Sequence, residues 1–234
     1  MDMNSDPRIP RAAEPPPAPP VNPNAAKADL RQRLLAARRG LDGATRAQWD
    51  RAIGARVVDW WRGGGAAALG VYWPLRDEPD LQAAYAELAR LGVRLLLPVV
   101  VRRDAALEFA HWNIGEEMVK DKMGVAVPAD LRLEAYPPAL LVPCLGFNPQ
   151  GYRLGYGGGF YDRTLARQPR PQTLGVAYSC LAAEFASDRH DIPLDRIVTE
   201  SPSGVGSSGV SQRGQCRHSD TSSAVGPPAS PGPG

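Results

Sequence analysis

The amino-acid sequence predicts an α/β fold, a three-layer αβα sandwich built around an open, mostly parallel, Rossmann-like sheet. Apolar residues at helical spacing alternate with short, continuously apolar runs, which is the pattern of helices packed on buried strands. Between Ala66 and Val101 a strand, a helix and a strand are predicted in succession, the order of a right-handed βαβ unit. A glycine-rich segment then follows the buried run Leu140–Val142, where ligands gather in sheets of this kind.

The first half of the predicted domain holds three helices and two strands. Leucines at one-turn spacing predict the first helix, and tryptophans and aliphatic residues at the same spacing predict the second. Gly63–Gly65 ends that second helix, because glycine readily takes the left-handed conformation found after helix C-termini. The elements are expected at residues 27–39 (helix), 44–61 (helix), 66–73 (strand), 81–88 (helix) and 94–101 (strand).

The second half is predicted from weaker patterns. A strand is expected at residues 107–112, a buried strand at 140–142, and the last strands at 173–178 and 196–199. A helix is expected at 159–168, ending before Pro169 because proline cannot continue a helix. Residues 115–136 follow no clear period, so no element is assigned to them.

Composition divides the 234 residues into three parts. Residues 1–24 hold eight prolines and almost no large apolar side chains, and 21 of the 34 residues in 201–234 are Gly, Ser or Pro. Neither segment has enough apolar surface to offset the entropy lost on ordering, so we expect a disordered leader and a disordered tail. The folded domain is expected at residues 25–200.

The totals exclude several classes of protein. The 27 basic and 25 acidic residues give a net charge of +2, which provides no general attraction to nucleic acid or membranes. The longest apolar run, Leu91–Val101, contains Arg94 and is too short to span a bilayer. Three separated cysteines without a CxxC pair are typical of reduced thiols. We expect a cytoplasmic monomer that binds neither nucleic acid nor membrane, with an organellar location as the alternative.

The segment Leu140–Arg163 carries the strongest functional pattern. Its five glycines between Gly151 and Gly159 would let backbone N–H groups approach a ligand, and the predicted helix that follows would favour an anion at its N-terminus. Arg153 adds a full positive charge, and Asp162 offers a carboxylate of the kind that binds Mg²⁺ beside phosphates. The Walker spacing GxxxxGK(S/T) does not occur, and in this segment the GxGxxG spacing fails at Phe160. A plain tight turn is the alternative to a phosphate site.

The sequence RLGYGGGFYDR at residues 153–163 closely resembles the signature of the 5-formyltetrahydrofolate cyclo-ligases, also called methenyltetrahydrofolate synthetases. A predicted strand, a proline and Gly146-Phe147-Asn148 precede it, as in that family. The resemblance begins at Lys27-Ala-Asp-Leu-Arg31, continues at Asp77-Glu78-Pro79 and ends near Asp191 and Ile197-Val198-Thr199. It therefore spans about residues 27–200, the whole predicted domain.

The resemblance implies an ATP- and Mg²⁺-dependent ligase of one-carbon folate metabolism. It would cyclise 5-formyltetrahydrofolate to 5,10-methenyltetrahydrofolate and release ADP and phosphate. Catalytic roles fall to Arg153 and Lys27. The ATP-binding residues implied are Lys27, Arg31, Arg153, Gly155, Gly157, Gly158, Gly159 and Tyr161. The folate-binding residues implied are Trp73, Glu78, Tyr156 and Phe160. Asp162 and Asp191 would bind Mg²⁺, with ATP as co-substrate.

Each of these residues also has an ordinary structural interpretation. Lys27 and Arg31 lie four residues apart, a spacing that usually belongs to a solvated helical face. Glu78 fits an exposed loop carboxylate, and Asp162 and Asp191 fit surface ion pairs.

Two other functions compete with the ligase. One is a non-catalytic nucleotide- or phosphosugar-binding α/β domain, since many functions share such sheets. The other is a nucleic-acid-associated protein, suggested by the arginines of Arg31–Arg39 and Arg102–Arg103. No GxSxG elbow or Cys–His pattern indicates a protein nucleophile, and Cys144 is interpreted as a buried thiol at a strand end.

Overall fold

The computed structural model describes residues 23–75 and 77–202. Cys216, residues 1–22 of the predicted leader and nearly all of the predicted tail lie outside the described residues. In chain order the helices are α1 (Pro23–Arg39), α2 (Gly43–Gly64), α3 (Gln82–Arg90) and α4 (Phe160–Leu165). A single 3₁₀ turn spans Ser179–Leu181. The first helix thus begins two residues before the predicted start of the domain.

The second helix has clear signals at both ends. The Asp42 carboxylate accepts hydrogen bonds from the backbone N–H groups of Ala44 and Thr45, which satisfies donors that the first helical turn leaves open. At the other end Gly65 takes the left-handed conformation with φ 64°, and its N–H donates to Trp61 O. The glycines therefore end the helix as predicted, although the helix itself is a few residues longer than expected.

Eleven strands lie within the described residues. In chain order they are β1 Ala68–Gly70, β2 Arg94–Val99, β3 Glu108–Trp112, β4 Met118–Lys120, β5 Ala126–Pro128, β6 Leu133–Glu134, β7 Ala139–Pro143, β8 Gly146–Phe147, β9 Arg153–Leu154, β10 Gln172–Val176 and β11 Arg196–Val198. Seven of them form one sheet in the order β11-β10-β7-β1-β2-β3-β6. The first five strands of that order are parallel, whereas β3 and β6 are antiparallel to their neighbours. The mostly parallel, open sheet is confirmed.

The predicted βαβ unit is present as β1, α3 and β2. Leu69 pairs with Leu95 in parallel register, and Tyr85 and Leu88 of α3 are buried against the sheet. At the end of β1, Gly70 lies very close to the Leu140 side chain of β7. A Cβ on Gly70 would be only 2.2 Å from Leu140 Cδ2. Glycine is the residue that permits this close approach.

The two faces of the sheet are covered unequally. One face packs against α1, α2 and α3, with a core that includes Ile53, Val57 and Tyr85. The other face packs against α4 and the loops around it, through residues such as Phe109 and Leu165. The αβα sandwich is therefore confirmed, with a second helical layer reduced to one short helix. No helix within the described ranges is long and apolar enough to cross a membrane.

Three sequence predictions differ from the structure. Residues 115–136, left without an element, contain the β4–β5 hairpin and the edge strand β6. The glycine-rich segment contains a second hairpin, β8–β9, which was not predicted. The helix expected at 159–168 ends at Leu165, because the Arg167 N–H donates to Thr164 O only three residues earlier and tightens the chain out of α-helical geometry.

Candidate active site

A cavity of about 800 Å³ lies beyond the carboxyl ends of β1, β2 and β7. Tyr72 and Trp73 follow β1, Val100 follows β2, and Pro143 ends β7. The other walls come from α1, the loop after β1, the turn of the β4–β5 hairpin, the loop between β9 and α4, and the loop before β11. Every residue predicted to bind ATP, folate or metal lines this cavity: Lys27, Arg31, Trp73, Glu78, Arg153, Gly155, Tyr156, Gly157, Gly158, Gly159, Phe160, Tyr161, Asp162 and Asp191.

The glycine-rich wall is presented by the β8–β9 hairpin. The Asn148 side-chain oxygen accepts hydrogen bonds from the backbone N–H groups of Gln150 and Tyr152, at 3.2 and 2.9 Å, which fixes the hairpin turn. The chain then enters the cavity wall, where Gly157 has φ 93° and Gly159 has φ 64°. Both values lie in the left-handed region that favours glycine, so this loop conformation depends on those two residues.

The first helix turns its cations toward the cavity. Lys27 Nζ lies 2.7 Å from Asp188 Oδ2 and 3.2 Å from Asp191 Oδ2, and the Lys27 side chain is only 12% exposed. Burial lowers the pKa of Lys27, but the hydrogen bonds to Asp188 and Asp191 outweigh that effect and leave the pKa raised. Arg31 Nε donates to Gly155 O at 2.8 Å. These contacts contradict the solvated-face interpretation of Lys27 and Arg31.

Arg153 is a nearly buried cation that links two acidic segments. Its Nη2 lies 2.7 Å from Asp162 Oδ1, and its Nη1 donates to Ile192 O at 3.2 Å. The Ile192 N–H in turn donates to Asp162 Oδ1 at 3.3 Å. Because Ile192 directly follows Asp191, the two carboxylates predicted to bind metal belong to neighbouring segments of one cavity wall.

A cavity with two such carboxylates provides only part of a metal site. The described part of the chain contains no cluster of three or more His, Cys, Asp or Glu side chains able to hold a metal ion. Mg²⁺ is usually held by one or two carboxylates together with substrate phosphates and water. Asp162 and Asp191 fit that requirement beside the Lys27, Arg31 and Arg153 cations.

Glu78 lies inside the cavity wall and not on an exposed loop. It is 5% exposed; its Oε2 accepts from the Leu75 N–H at 2.9 Å, and its Oε1 accepts from the Tyr156 hydroxyl at 2.9 Å. Asp77, the preceding residue, has φ 64°, a strained value for a residue other than glycine. Arg46 holds the Asp77 carboxylate at 2.8 Å, so the bend that turns Glu78 inward is anchored to α2.

Aromatic side chains form the flat surfaces of the cavity. Trp73 packs edge-on against Trp112, with ring centroids 5.8 Å apart. Phe160 packs partly into the core beneath the sheet, and the Arg163 guanidinium lies 5.1 Å from the centre of its ring. Burial raises the pKa of Tyr161 above its usual range, and burial and the Glu78 charge raise the pKa of Tyr156 to about 12. Both phenols therefore stay protonated at neutral pH.

Arg38 is a further component of the site, and no motif of the sequence predicts it. It is fully buried, and its Nη2 donates to the Tyr156 hydroxyl at 2.6 Å. Its Nε and Nη1 atoms have no hydrogen-bond partner among the residues described. A signal existed in the sequence, because Arg38 lies seven residues after Arg31 and so falls on the same face of α1 as Arg31 and Lys27.

The turn of the β4–β5 hairpin was also not predicted as part of the site. The Asp121 carboxylate accepts from the N–H groups of Met123 and Val125, at 2.8 and 2.9 Å, and so orders the turn. Met123 and Val125 line the cavity, and Met123 is exposed. The surrounding residues show no period from which this position could be inferred.

Known proteins resemble this chain in sequence. The model of the 5-formyltetrahydrofolate cyclo-ligase family matches residues 23–200. The 5-formyltetrahydrofolate cyclo-ligase of Escherichia coli K12 is 34% identical over 145 residues, which cover 58% of this chain and 79% of that enzyme.

Two solved structures share the fold. The 5,10-methenyltetrahydrofolate synthetase of Aquifex aeolicus superposes with a TM-score of 0.67 at 25% identity, covering 82% of this chain and 98% of its own. The synthetase of Mycoplasma pneumoniae superposes with a TM-score of 0.60 at 25% identity, covering 75% of this chain and 99% of its own. The family match covers the whole cavity wall from Lys27 to Asp191, and this chain belongs to the 5-formyltetrahydrofolate cyclo-ligase family.

Proposed function

We propose that this chain catalyses the ATP- and Mg²⁺-dependent conversion of 5-formyltetrahydrofolate to 5,10-methenyltetrahydrofolate, with release of ADP and phosphate. The observation that carries the proposal is that two chemically different groups of residues line one cavity. We infer that the two groups form its two ends. Lys27, Arg31 and Arg153 make one end cationic. Glu78 and the aromatic residues Trp73 and Tyr156 form the other end. Family membership supports the same reaction.

The cationic end is suited to the phosphates of ATP. The Lys27 ammonium is a compact positive charge, whereas Arg31 and Arg153 offer planar forks of N–H donors for phosphate oxygens. The glycines from Gly155 to Gly159 keep side chains away from the phosphate path. The six-residue helix α4 contributes little dipole, so the side-chain cations and loop amides are expected to do most of the binding.

Asp162 and Asp191 are the residues that would hold Mg²⁺ at this end. When bound, Mg²⁺ would neutralise charge on the phosphate oxygens of ATP. Both carboxylates already face cations of the cavity, Arg153 and Lys27 respectively. They are therefore held beside the expected phosphate position.

The acidic and aromatic end is suited to the reduced pterin ring. The Glu78 carboxylate can accept hydrogen bonds from the N–H donors of the pterin. Trp73 and Tyr156 provide flat apolar surface for the ring, and Phe160 closes the side nearest to α4. These contacts would orient the formyl group toward the cationic end.

The reaction then requires positioning and charge neutralisation. The formyl oxygen attacks the γ-phosphorus of ATP and ADP leaves; N10 of the folate attacks the activated carbon, and loss of phosphate completes the ring. Arg153 and Lys27 stabilise the charge that builds up on the transferred phosphoryl group. No protein nucleophile is needed, which agrees with the Cys144 thiol, whose pKa is raised by burial to about 12.

The test is the appearance of methenyl-folate absorbance when the protein is mixed with 5-formyltetrahydrofolate, ATP and Mg²⁺. We expect the signal only when all three are present, and we expect Arg153→Met to abolish it. Arg170→Met is the matched control, because Arg170 contacts Pro193 O and Asp195 away from the cavity. ATP binding without any turnover or stimulation by the folate would favour the non-catalytic nucleotide-binding domain instead.

Three further properties are part of the proposal. We infer that residues 25–200 carry the activity, that the protein acts as a monomer, and that it works in the cytoplasm or, like the Arabidopsis thaliana relative named as mitochondrial, in an organelle. A chain limited to residues 23–202 should keep its thermal stability, and its mass in solution should be that of one copy. A large fall in melting temperature or a dimeric mass would contradict these inferences.

A further inference from the structure

We propose that Arg38 is a positioning residue for the folate end of the cavity. Acting through the Tyr156 hydroxyl, it holds the Glu78 carboxylate in one orientation and in its ionised form. The inference rests on the proposed function and adds to it a residue of α1 that does not line the cavity. It depends on three side chains from three separate segments that meet in one hydrogen-bonded chain.

The direction of each hydrogen bond follows from chemistry. A guanidinium group has donors only, so Arg38 Nη2 donates to Tyr156 Oη across 2.6 Å. The single hydroxyl hydrogen of Tyr156 is then directed to Glu78 Oε1, 2.9 Å away. The phenol therefore relays positive potential from Arg38 to Glu78, and both partners fix the position of its ring.

The second oxygen of Glu78 is also an acceptor. The Leu75 N–H donates to Glu78 Oε2 at 2.9 Å. With each carboxylate oxygen accepting a hydrogen bond, the ionised form of Glu78 is favoured over the protonated form. The Tyr156 contact accounts for one of those two bonds, so its loss would remove both charge stabilisation and orientation.

Among the described residues, the groups that surround Glu78 are of two kinds. The neutral ones are the hydroxyls of Tyr72, Tyr85 and Tyr161 and the thiol of Cys144, whose pKa values are all raised by burial. The charged ones are Asp77, paired with Arg46, and Arg153, paired with Asp162. Arg38 adds a positive charge, because it contacts the hydroxyl partner of Glu78.

Burial of the Arg38 charge costs free energy that packing alone does not explain. Its side chain is fully buried, and two of its nitrogens have no partner in the described part of the chain. Buried charges of this kind often add little stability compared with an apolar side chain of similar size. A purely structural role would therefore be filled as well by methionine, whereas a role in orienting Glu78 would not.

The experiment compares Arg38→Met, Tyr156→Phe and the double variant with the unchanged chain. We expect each single variant to raise the KM for 5-formyltetrahydrofolate about tenfold, the effect of one charge-assisted hydrogen bond. The KM for ATP should stay the same. Because both substitutions break one relay, the double variant should be no worse than the worse single variant.

One measurement, with a matched control, separates a positioning role of Arg38 from a structural role. As pH is lowered from 8.5 to 5.5, the KM for the folate should begin to rise at higher pH in Arg38→Met than in the unchanged chain, since Glu78 is more easily protonated without the relay. Arg39→Met is the matched control, because Arg39 is the next residue of α1 and is exposed. It should change neither the KM nor its pH dependence.

Several results would overturn the role of Arg38. One is that the two substitutions raise the KM for the folate independently, so that their effects add in the double variant. Another is that the KM for ATP rises as much as the KM for the folate, and a third is that the pH dependence of the KM for the folate does not change. If Arg38→Met does not fold, the pH dependence of the KM for the folate in Tyr156→Phe tests the proposal alone. The Tyr156 ring is partly exposed, so we expect this variant to fold. If the chain without substitutions shows no turnover, the proposed function is overturned as well. If that chain is active and neither substitution changes its KM for the folate, only the role of Arg38 is overturned.

Discussion

Arg153 and Asp162 face each other across the glycine loop, with 2.7 Å between Nη2 and Oδ1. A second pair, Lys27 and Asp191, repeats the arrangement at 3.2 Å on the neighbouring wall. Two of the three cations proposed for phosphate, Arg153 and Lys27, thus contact a carboxylate proposed for metal. ATP bound alone would draw the cations away from the carboxylates, and Mg²⁺ bound alone would draw the carboxylates away from the cations. In either case one partner of each pair would lose its counter-charge, so we expect Mg²⁺ and ATP to bind together.

Replacement of Lys27 by methionine should raise the KM for ATP about tenfold, because a contact to a charged group contributes about 1.5–3 kcal/mol. Arg33→Met is the control on the same helix, since the Arg33 side chain is 68% exposed and pairs with Asp29. Steady-state kinetics with varied ATP measures the effect. Equal behaviour of the two variants would place Lys27 outside the ATP site.

Asp191→Asn should raise the Mg²⁺ concentration needed for half-maximal activity by roughly tenfold or more, the size of effect seen when a metal site loses a supporting group. Asp188→Asn tests the neighbouring carboxylate, which also contacts Lys27 but is 61% exposed, compared with 24% for Asp191. A Mg²⁺ titration of turnover gives the comparison. A greater dependence on Asp188 would move the metal ligand to that residue.

Gly155→Val should leave thermal stability within a few degrees of the unchanged chain while raising the KM for ATP. A Cβ at Gly155 meets no atom within 4 Å, and its backbone lies outside the left-handed region, so the free protein accepts a Cβ there without a clash. Gly70→Ala is the opposite case: its Cβ would overlap Leu140 and should cost about 1–3 kcal/mol. Thermal melts and ATP kinetics of both variants provide the test.

Cys144 should resist alkylation in the folded protein. Burial raises its pKa to about 12, so almost no thiolate exists at pH 7–8. Treatment with iodoacetamide followed by peptide mass spectrometry should find Cys144 unmodified until the protein is denatured. Rapid labelling under native conditions would show that the end of β7 opens to solvent.

The parallel centre of the fold could be predicted because continuous apolar runs and one βαβ unit specify it. The edge strands could not, since β6 is only Leu133–Glu134 and such a short pair carries no periodicity. The β8–β9 hairpin escaped for a similar reason, because it is held by the Asn148 side chain and not by an alternating pattern.

The candidate site was predicted from a motif, and the structure brings its residues together. The spacing of Lys27 and Arg31 predicts that they share one face of α1. It does not show whether that face packs against the rest of the domain or faces solvent. That choice depends on how α1 docks beside Gly155 and Asp191, more than 120 residues later in the chain. Arg38 was not assigned because arginine is rarely buried, so composition argues against such a position.

The placement of α1 also bears on how the protein is made. The partners of Arg38, Arg31 and Lys27 are synthesised 118, 124 and 161–164 residues after these side chains. Until then the helix has no glycine loop to dock against, and contacts of such long range form slowly. Nucleotide capture by nascent chains of increasing length would therefore begin only after the segment containing Asp191 has emerged, which makes ligand binding a marker of completed folding.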